Sequence, residues 1–362
     1  METVVAGLRM EYLGGKGDGL VAAQDFPRGT QMILEKPHMW FNTTQSLASI
    51  AAMLELGAGS MSTKSTPELE SILPPVFGQQ PSKDRPMTVK FSRLHKNGGR
   101  FSDQTPEQFA SANILPAKSI SGGTAMMVNY LTIIRLINHA CFPNAEYSWN
   151  DKLKMGTVYA VCDIKAGDEI TINYGYEMYQ CRSDHIRGKF GFICLCNTCM
   201  MQTSLRRDAA SGMHLKLRDE EVALLNESFL ITSTSSCRKY HPETCLRKLY
   251  WRYQHFKNQG YQDSRVNNIL LEAFQILAGH EDTARALYFA KRYLEAQVEC
   301  YGQDADDIEK WQGMLKIENL TTYVEESFSD KWYNPVERTP TDHTLNMEAW
   351  MWARKAPGGL LW

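Results

Sequence analysis

No cysteine occurs before Cys141, although the 362-residue chain holds nine. An odd number so unevenly placed argues against the disulfide framework that small exported domains use. Long apolar runs are missing too, and none approaches the roughly 18 residues that a membrane-spanning helix needs. An excess of one charge is also lacking. The 39 Lys and Arg stand against 41 Asp and Glu, a formal charge of −2, which makes no direct case for a nucleic acid or an acidic membrane as partner. The opening residues, METVVAGLRMEYLGGKGDG, show no basic region followed by an apolar stretch, so a secretory signal is not expected. Three Asn-x-Ser/Thr tripeptides, at Asn42, Asn226 and Asn319, then read as chance. The expected location is intracellular, in the nucleus and/or the cytoplasm.

What is present is the material of a globular core: 43% hydrophobic and 10% aromatic residues. Residues 8–40 alternate apolar and polar positions with turn glycines, which predicts strands at LVAA and TQMILEK and a turn at FPRG. Residues 41–125 are looser, a helical SLASIAAMLEL followed by Gly, Ser, Pro and Lys from Gly57 to Lys96, and read as an insertion. Strand texture returns over 126–200, in GTVYAVCDI and DEITINYGY. After Met201 the chain turns helical. Val266, Ile269, Leu270, Phe274 and Leu277 recur at helical spacing, as do Leu287, Ala290, Leu294 and Val298, with a break at His280 to Asp282. The pair resembles a tetratricopeptide hairpin, although no 34-residue repeat is visible. The tail, MEAWMWARKAPGGLLW, is expected to dock on its own body.

Four stretches carry candidate chemistry. In CLCNTC, the thiolates of Cys194, Cys196 and Cys199 are close enough to converge on one tetrahedral zinc, which needs a fourth ligand from elsewhere. Cys141 is the first choice, with Cys181 and His185 as rivals. In KGDGL, Gly17 and Gly19 permit a ligand close approach to the backbone beside Lys16. In GDEITINYGYEMY, Tyr174 and Tyr176 fall on one face at strand spacing. A fourth stretch, NHACFPN, sets Asn138, His139 and Asn144 directly after the apolar YLTIIRLI. Polar groups there are costly to bury unless something pairs with them.

Taken in order, the glycine turn, RLINHACFPN, GDEITINYGY and FGFICLCNTC resemble the SET-domain methyltransferases over about residues 8–200, and Arg135 through Asn144 match the family pattern R-x-x-N-H-x-C-x-P-N. The resemblance implies an α+β fold: a β-rich SET domain of short twisted sheets with a pseudoknot, a helical insertion, a zinc-binding post-SET segment and an α-helical carboxyl-terminal domain. The corresponding boundaries are 1–40 and 126–180 for the SET core, 41–125 for the insertion, 181–200 for the post-SET segment and 201–362 for the helical domain. The architecture resembles the SET-and-MYND branch. The MYND zinc finger would need cysteines between the first and second motifs, and there are none.

The resemblance further implies S-adenosyl-L-methionine and zinc as cofactors and a lysine of a histone or other protein as substrate. Tyr174 matches the catalytic tyrosine, with Tyr176 beside it. Lys16, Gly17, Gly19, Asn138, His139, Tyr174 and Phe192 would meet the methyl donor, and Tyr176 and Phe190 would line the lysine channel. Cys141, Cys194, Cys196 and Cys199 would hold the zinc, which folds the post-SET loop and takes no part in the reaction. Two rival readings share the fold. One is a non-catalytic scaffold that binds protein partners, the other a SET fold acting on a small molecule.

Overall fold

The short β-branched and aromatic runs of the amino-terminal half pair into four small sheets. A computed structural model describes residues 4–5, 7–42, 46, 48–50, 108, 111, 114–117, 126–129, 133–174, 182–196, 200, 238–239, 241–258, 263–305, 307–315 and 351–352. Tyr176, Cys181, Cys199 and most of the 41–125 segment lie outside these residues, as does the side chain of His185. The chain divides into two compact units, Met1–Asp208 with Glu299–Asp306, and Ala209–Val298 with Asp307–Trp362.

In the first unit, β1 (Val4–Val5), β4 (Gln31–Glu35), β10 (Met155–Ala160) and β9 (Ala145–Asn150) form an antiparallel sheet in the order β1-β4-β10-β9. Strands β2 (Leu8–Tyr12) and β3 (Asp18–Ala22) make a hairpin with Leu8 opposite Ala22 and Tyr12 opposite Asp18. The predicted strands at LVAA and TQMILEK thus correspond to β3 and β4. A third sheet has the order β5 (Met39–Asn42), β7 (Met126–Asn129), β6 (Leu115–Pro116). Pairing of β5 with β7 brings together the two ends of the 41–125 segment. The fourth is the smallest: β8 (Asn138–His139) runs parallel to β11 (Thr171–Ile172), with Thr171 beside Asn138 and Ile172 beside His139.

One apolar cluster joins these sheets, among it Leu8, Leu20, Ile33, Val128, Ile137 and Ile172. Ile137 precedes β8 and Ile172 belongs to β11, so burying them seats that pair against the core. Its polar residues are thereby fixed in position. Helix α1 (Arg182–Phe190) follows and ends at Gly191, whose φ of +74° suits the left-handed residue that stops a helix.

The second unit is described through α2 (Pro242–Asn258), α3 (Ser264–Gly279), α4 (Thr283–Tyr301) and α5 (Ile308–Met314). Ile269, Leu270, Phe274 and Leu277 are buried as their spacing predicts, with Val266 half-buried at the margin. The face of α4 differs from expectation. Ala286, Phe289, Ala290 and Tyr293 are buried, whereas Leu287, Leu294 and Val298 are only half-buried. The large rings of Phe289 and Tyr293 and the buried Asp282–Arg285 ion pair at the start of α4 set its rotation, which displaces the expected stripe by about one residue. Met351 and Trp352 of the tail are buried, and Trp352 packs against Tyr250, Tyr253 and Phe289 at 5.6, 5.4 and 4.8 Å between ring centroids. No helix among the described residues is long and apolar enough to cross a membrane.

Candidate active site

The hairpin β2–β3 closes through a tight turn. Leu13 donates to the Gly17 carbonyl and Gly17 to the Gly14 carbonyl, while Gly17 adopts φ +78°, ψ −149°, open essentially to glycine alone. Gly19 is required for another reason. A Cβ there would lie 2.5 Å from a Leu13 methyl and 2.7 Å from Asn138 Nδ2, so β3 approaches Asn138 as closely as two chains can. The glycines of KGDGL are thus turn and contact residues of one cradle.

Asn138 reaches that cradle because the apolar lead-in is anchored from below. Buried Glu35 accepts from the backbone N–H groups of Ile133 (3.1 Å) and Ile134 (2.7 Å), capping the 3-10 turn Ile134–Leu136 that delivers β8. Burial pulls the Arg135 guanidinium down to about 10, against the opposing fields of Glu35 and Asp18. Asn138 Nδ2 donates to Glu169 Oε1 at 3.0 Å and to the Asp18 carbonyl at 3.4 Å, and Lys16 Nζ meets Glu169 Oε2 at 2.5 Å. Asn144 locks the partner strand: its amide donates to the Glu169 carbonyl at 2.8 Å and accepts from Thr171 N–H at 2.9 Å.

Tyr174 follows β11. Its hydroxyl donates to the Ile137 carbonyl at 2.5 Å, immediately before Asn138, and its backbone N–H donates to His139 Nδ1 at 3.1 Å. Burial, aided by the negative charge of Glu169, raises the phenol pKa above its ordinary value, so Tyr174 stays a neutral hydroxyl. Phe190 and Phe192 meet its ring edge-on at 5.6 and 6.3 Å, and His139 lies 5.4 Å away. Gly191 lets the chain reverse between the two phenylalanines so that both join this aromatic group.

His139, Cys141 and Cys194 lie together and buried, with their ligand atoms within 4.8 Å of one another. The sulfurs of Cys141 and Cys194 are 4.0 Å apart, close to the edge of about 3.8 Å that Zn–S bonds of 2.3 Å give a tetrahedron. Cys196 is buried in the same apolar cluster, and all six cysteines among the described residues are unbridged. The donor set fits zinc. The histidine, however, is a poor candidate ligand. Because Nδ1 accepts from Tyr174 N–H, the neutral ring carries its proton on Nε2, which faces Cys141 Sγ at 3.5 Å. It is placed to donate to the thiolate, so both ring nitrogens are committed and only the His139 main chain is left for another ligand.

The structure therefore gathers Lys16, Gly17, Gly19 and Asn138 at one end and His139, Tyr174, Phe190, Phe192, Cys141, Cys194 and Cys196 at the other. Tyr176 and Cys199 lie outside the described residues. Sequence reasoning assigned no role to Glu35, Asn144 or Glu169. Asn144 stood inside the quoted motif, and Glu169 beside the strand expected to end in Tyr174. Nothing in local spacing marks a carboxylate whose partners lie 31 and 153 residues away.

Residues 17–175 match the family model described as the SET domain. Over 313 residues the chain is 27% identical to the histone-lysine N-methyltransferase set5 of Schizosaccharomyces pombe (strain 972 / ATCC 24843), covering 85% of this chain and 83% of that one. Over 70 residues it is 40% identical to the protein-lysine N-trimethyltransferase SMYD5 of Gallus gallus, covering 18% of this chain and 17% of that one. The crystal structure of the SET domain of LSMT bound to MeLysine and AdoHcy aligns over 88% of this chain and 89% of its own, at 12% identity and a TM-score of 0.30, a likeness too slight to argue from.

Proposed function

From the match of residues 17–175 to the SET-domain model we infer that this chain carries a SET domain and transfers a methyl group from S-adenosyl-L-methionine to a lysine side-chain nitrogen of a protein. The observation that carries the reading is the buried Tyr174 hydroxyl held on the Ile137 carbonyl, next to the Asn138–His139 strand. The bound donor supplies a methyl group on a positively charged sulfur. Gly19 lets β3 close onto Asn138, and Lys16 brings a cation to the same end. Phe192 offers an aromatic face at the other.

The attacking lysine must be neutral, yet in water its pKa is about 10.4. The apolar group of Tyr174, Phe190 and Phe192 disfavours an ammonium by desolvation. With its own proton committed to Ile137, the Tyr174 oxygen turns lone pairs toward its surroundings. It serves as a fixed acceptor that orients the amine and meets positive charge on the methyl in transit. Tyr176 belongs beside it in the lysine channel.

Cys141, Cys194, Cys196 and Cys199 would hold one zinc, which fixes the loop carrying Phe190 and Phe192 and so acts on folding rather than on methyl transfer. The short SMYD5 match favours a SET-and-MYND-like branch without the MYND finger, because no cysteine precedes Cys141. A histone or another intracellular protein is the substrate, met in the nucleus or the cytoplasm. The test is labelled S-adenosylmethionine with purified protein in a whole-cell lysate. Label on protein lysines is the expected outcome. Label on small metabolites alone, or no donor binding by zinc-replete protein, defeats the reading.

A further inference from the structure

Asn138 is 4% exposed, and its amide orientation is decided by chemistry. Nδ2 faces two acceptors, Glu169 Oε1 and the Asp18 carbonyl. A reversed amide would set Oδ1 against both, acceptor against acceptor. Oδ1 is therefore the atom turned the other way, and it accepts no hydrogen bond from any described residue. The second oxygen of Glu169 takes Lys16 Nζ. One carboxylate thus serves two donors from distant segments, leaving a carbonyl-type acceptor and a lysine cation side by side.

We propose that Glu169 is a positioning residue of the donor site: it holds the Asn138 amide with Oδ1 outward and draws Lys16 beside it, so that the pair matches the ammonium and carboxylate of an α-amino acid. This rests on the methyl-transfer reading, in which the donor's methionine end is that amino acid. The carboxylate is essential because it has two acceptor oxygens. A glutamine offers one acceptor and one NH2, so it satisfies either Lys16 or Asn138 and opposes the other.

The test is Glu169→Gln, read by calorimetry with two ligands, S-adenosylhomocysteine and its analogue lacking the α-amino group. The expected result is a loss of about tenfold or more for S-adenosylhomocysteine, the scale of one charged hydrogen bond, and a smaller loss for the deaminated analogue, which keeps only the carboxylate that Lys16 would meet. Glu169→Asp keeps both oxygens and is expected to retain part of the preference, which guards against a glutamine variant that merely folds poorly. Equal losses for the two ligands would make Glu169 a structural residue only, and unchanged affinities would remove its role. Either result overturns the proposal while leaving the methyltransferase reading in place. Failure of the unsubstituted protein to bind S-adenosylhomocysteine would overturn both.

Discussion

At the scale of single residues, Tyr174 concentrates the most chemistry in one side chain. Its hydroxyl, its backbone N–H and its ring each have a different partner: Ile137, His139 and the two phenylalanines. Tyr174→Phe removes only the hydroxyl. We expect kcat to fall by ~100-fold, the usual scale for one positioned proton-bearing group, with donor affinity unchanged in calorimetry. The pH profile carries a second expectation. The raised phenol pKa means that Tyr174 keeps its proton past 10, its ordinary value. The rate should therefore climb as substrate lysine deprotonates, with no falling limb from Tyr174 below pH 10. The sign for stability follows. The contribution of a group whose folded pKa is raised is complete below its unfolded pKa and is lost as pH rises through the folded one. Tyr174→Phe should accordingly flatten the alkaline loss of stability above about pH 10 in denaturant titrations, against that ordinary value. The grouping of Tyr174, Asn138, Cys141, Cys194 and Cys196 was legible in the sequence because their motifs are short and contiguous. Glu35 and Glu169 were not, because what defines them is a buried bond to a distant segment.

At the scale of elements, the two-residue strands β8 and β11 are too short to be stable by themselves, and side chains hold them in register. Asn144 supplies several of those bonds at once, to the Glu169 carbonyl, the Thr171 N–H and the Thr171 hydroxyl. Asn144→Ala leaves those groups unpaired in a half-buried place, and we expect a loss of about 2–3 kcal/mol, measured by urea unfolding. Donor affinity should fall with it, since Asn138 lies directly beside Thr171. Strand texture showed that β3, β4, β10 and the approach to Tyr174 would be extended. It did not show that β8 pairs with a strand 33 positions later. Helical periodicity behaved likewise: it found α3 and α4, and on α4 it missed the rotation because Phe289 and Tyr293 bury more area than the leucines around them. The tail is similar. Trp352 is enclosed by Tyr250, Tyr253 and Phe289, so Trp352→Ala should cost about 3–5 kcal/mol and speed hydrogen exchange in the amides of α2 and α4.

At the scale of the whole molecule, the site exists only as a tertiary object, because its parts come from residues 16 to 196 and no segment holds more than a few of them. A metal at Cys141 and Cys194 would join the Asn-His segment to the loop after α1, across 53 residues of chain. The same apolar cluster contains Phe190 and Phe192, so releasing the cysteines should release the aromatic wall of the proposed donor site. Lys16, Glu169 and Asn138 depend on a separate set of bonds and should be spared. The expected outcome of Cys194→Ser is loss of the proposed zinc by elemental analysis, together with a weakening of S-adenosylhomocysteine by about tenfold or more. That magnitude is what second-layer support commonly contributes to a site. Helical circular dichroism should change little, since α2, α3 and α4 have an apolar core of their own. If donor affinity survives complete removal of the metal, the cysteines do not brace the pocket, and the aromatic wall is held by packing against Tyr174, Ile186 and Phe142.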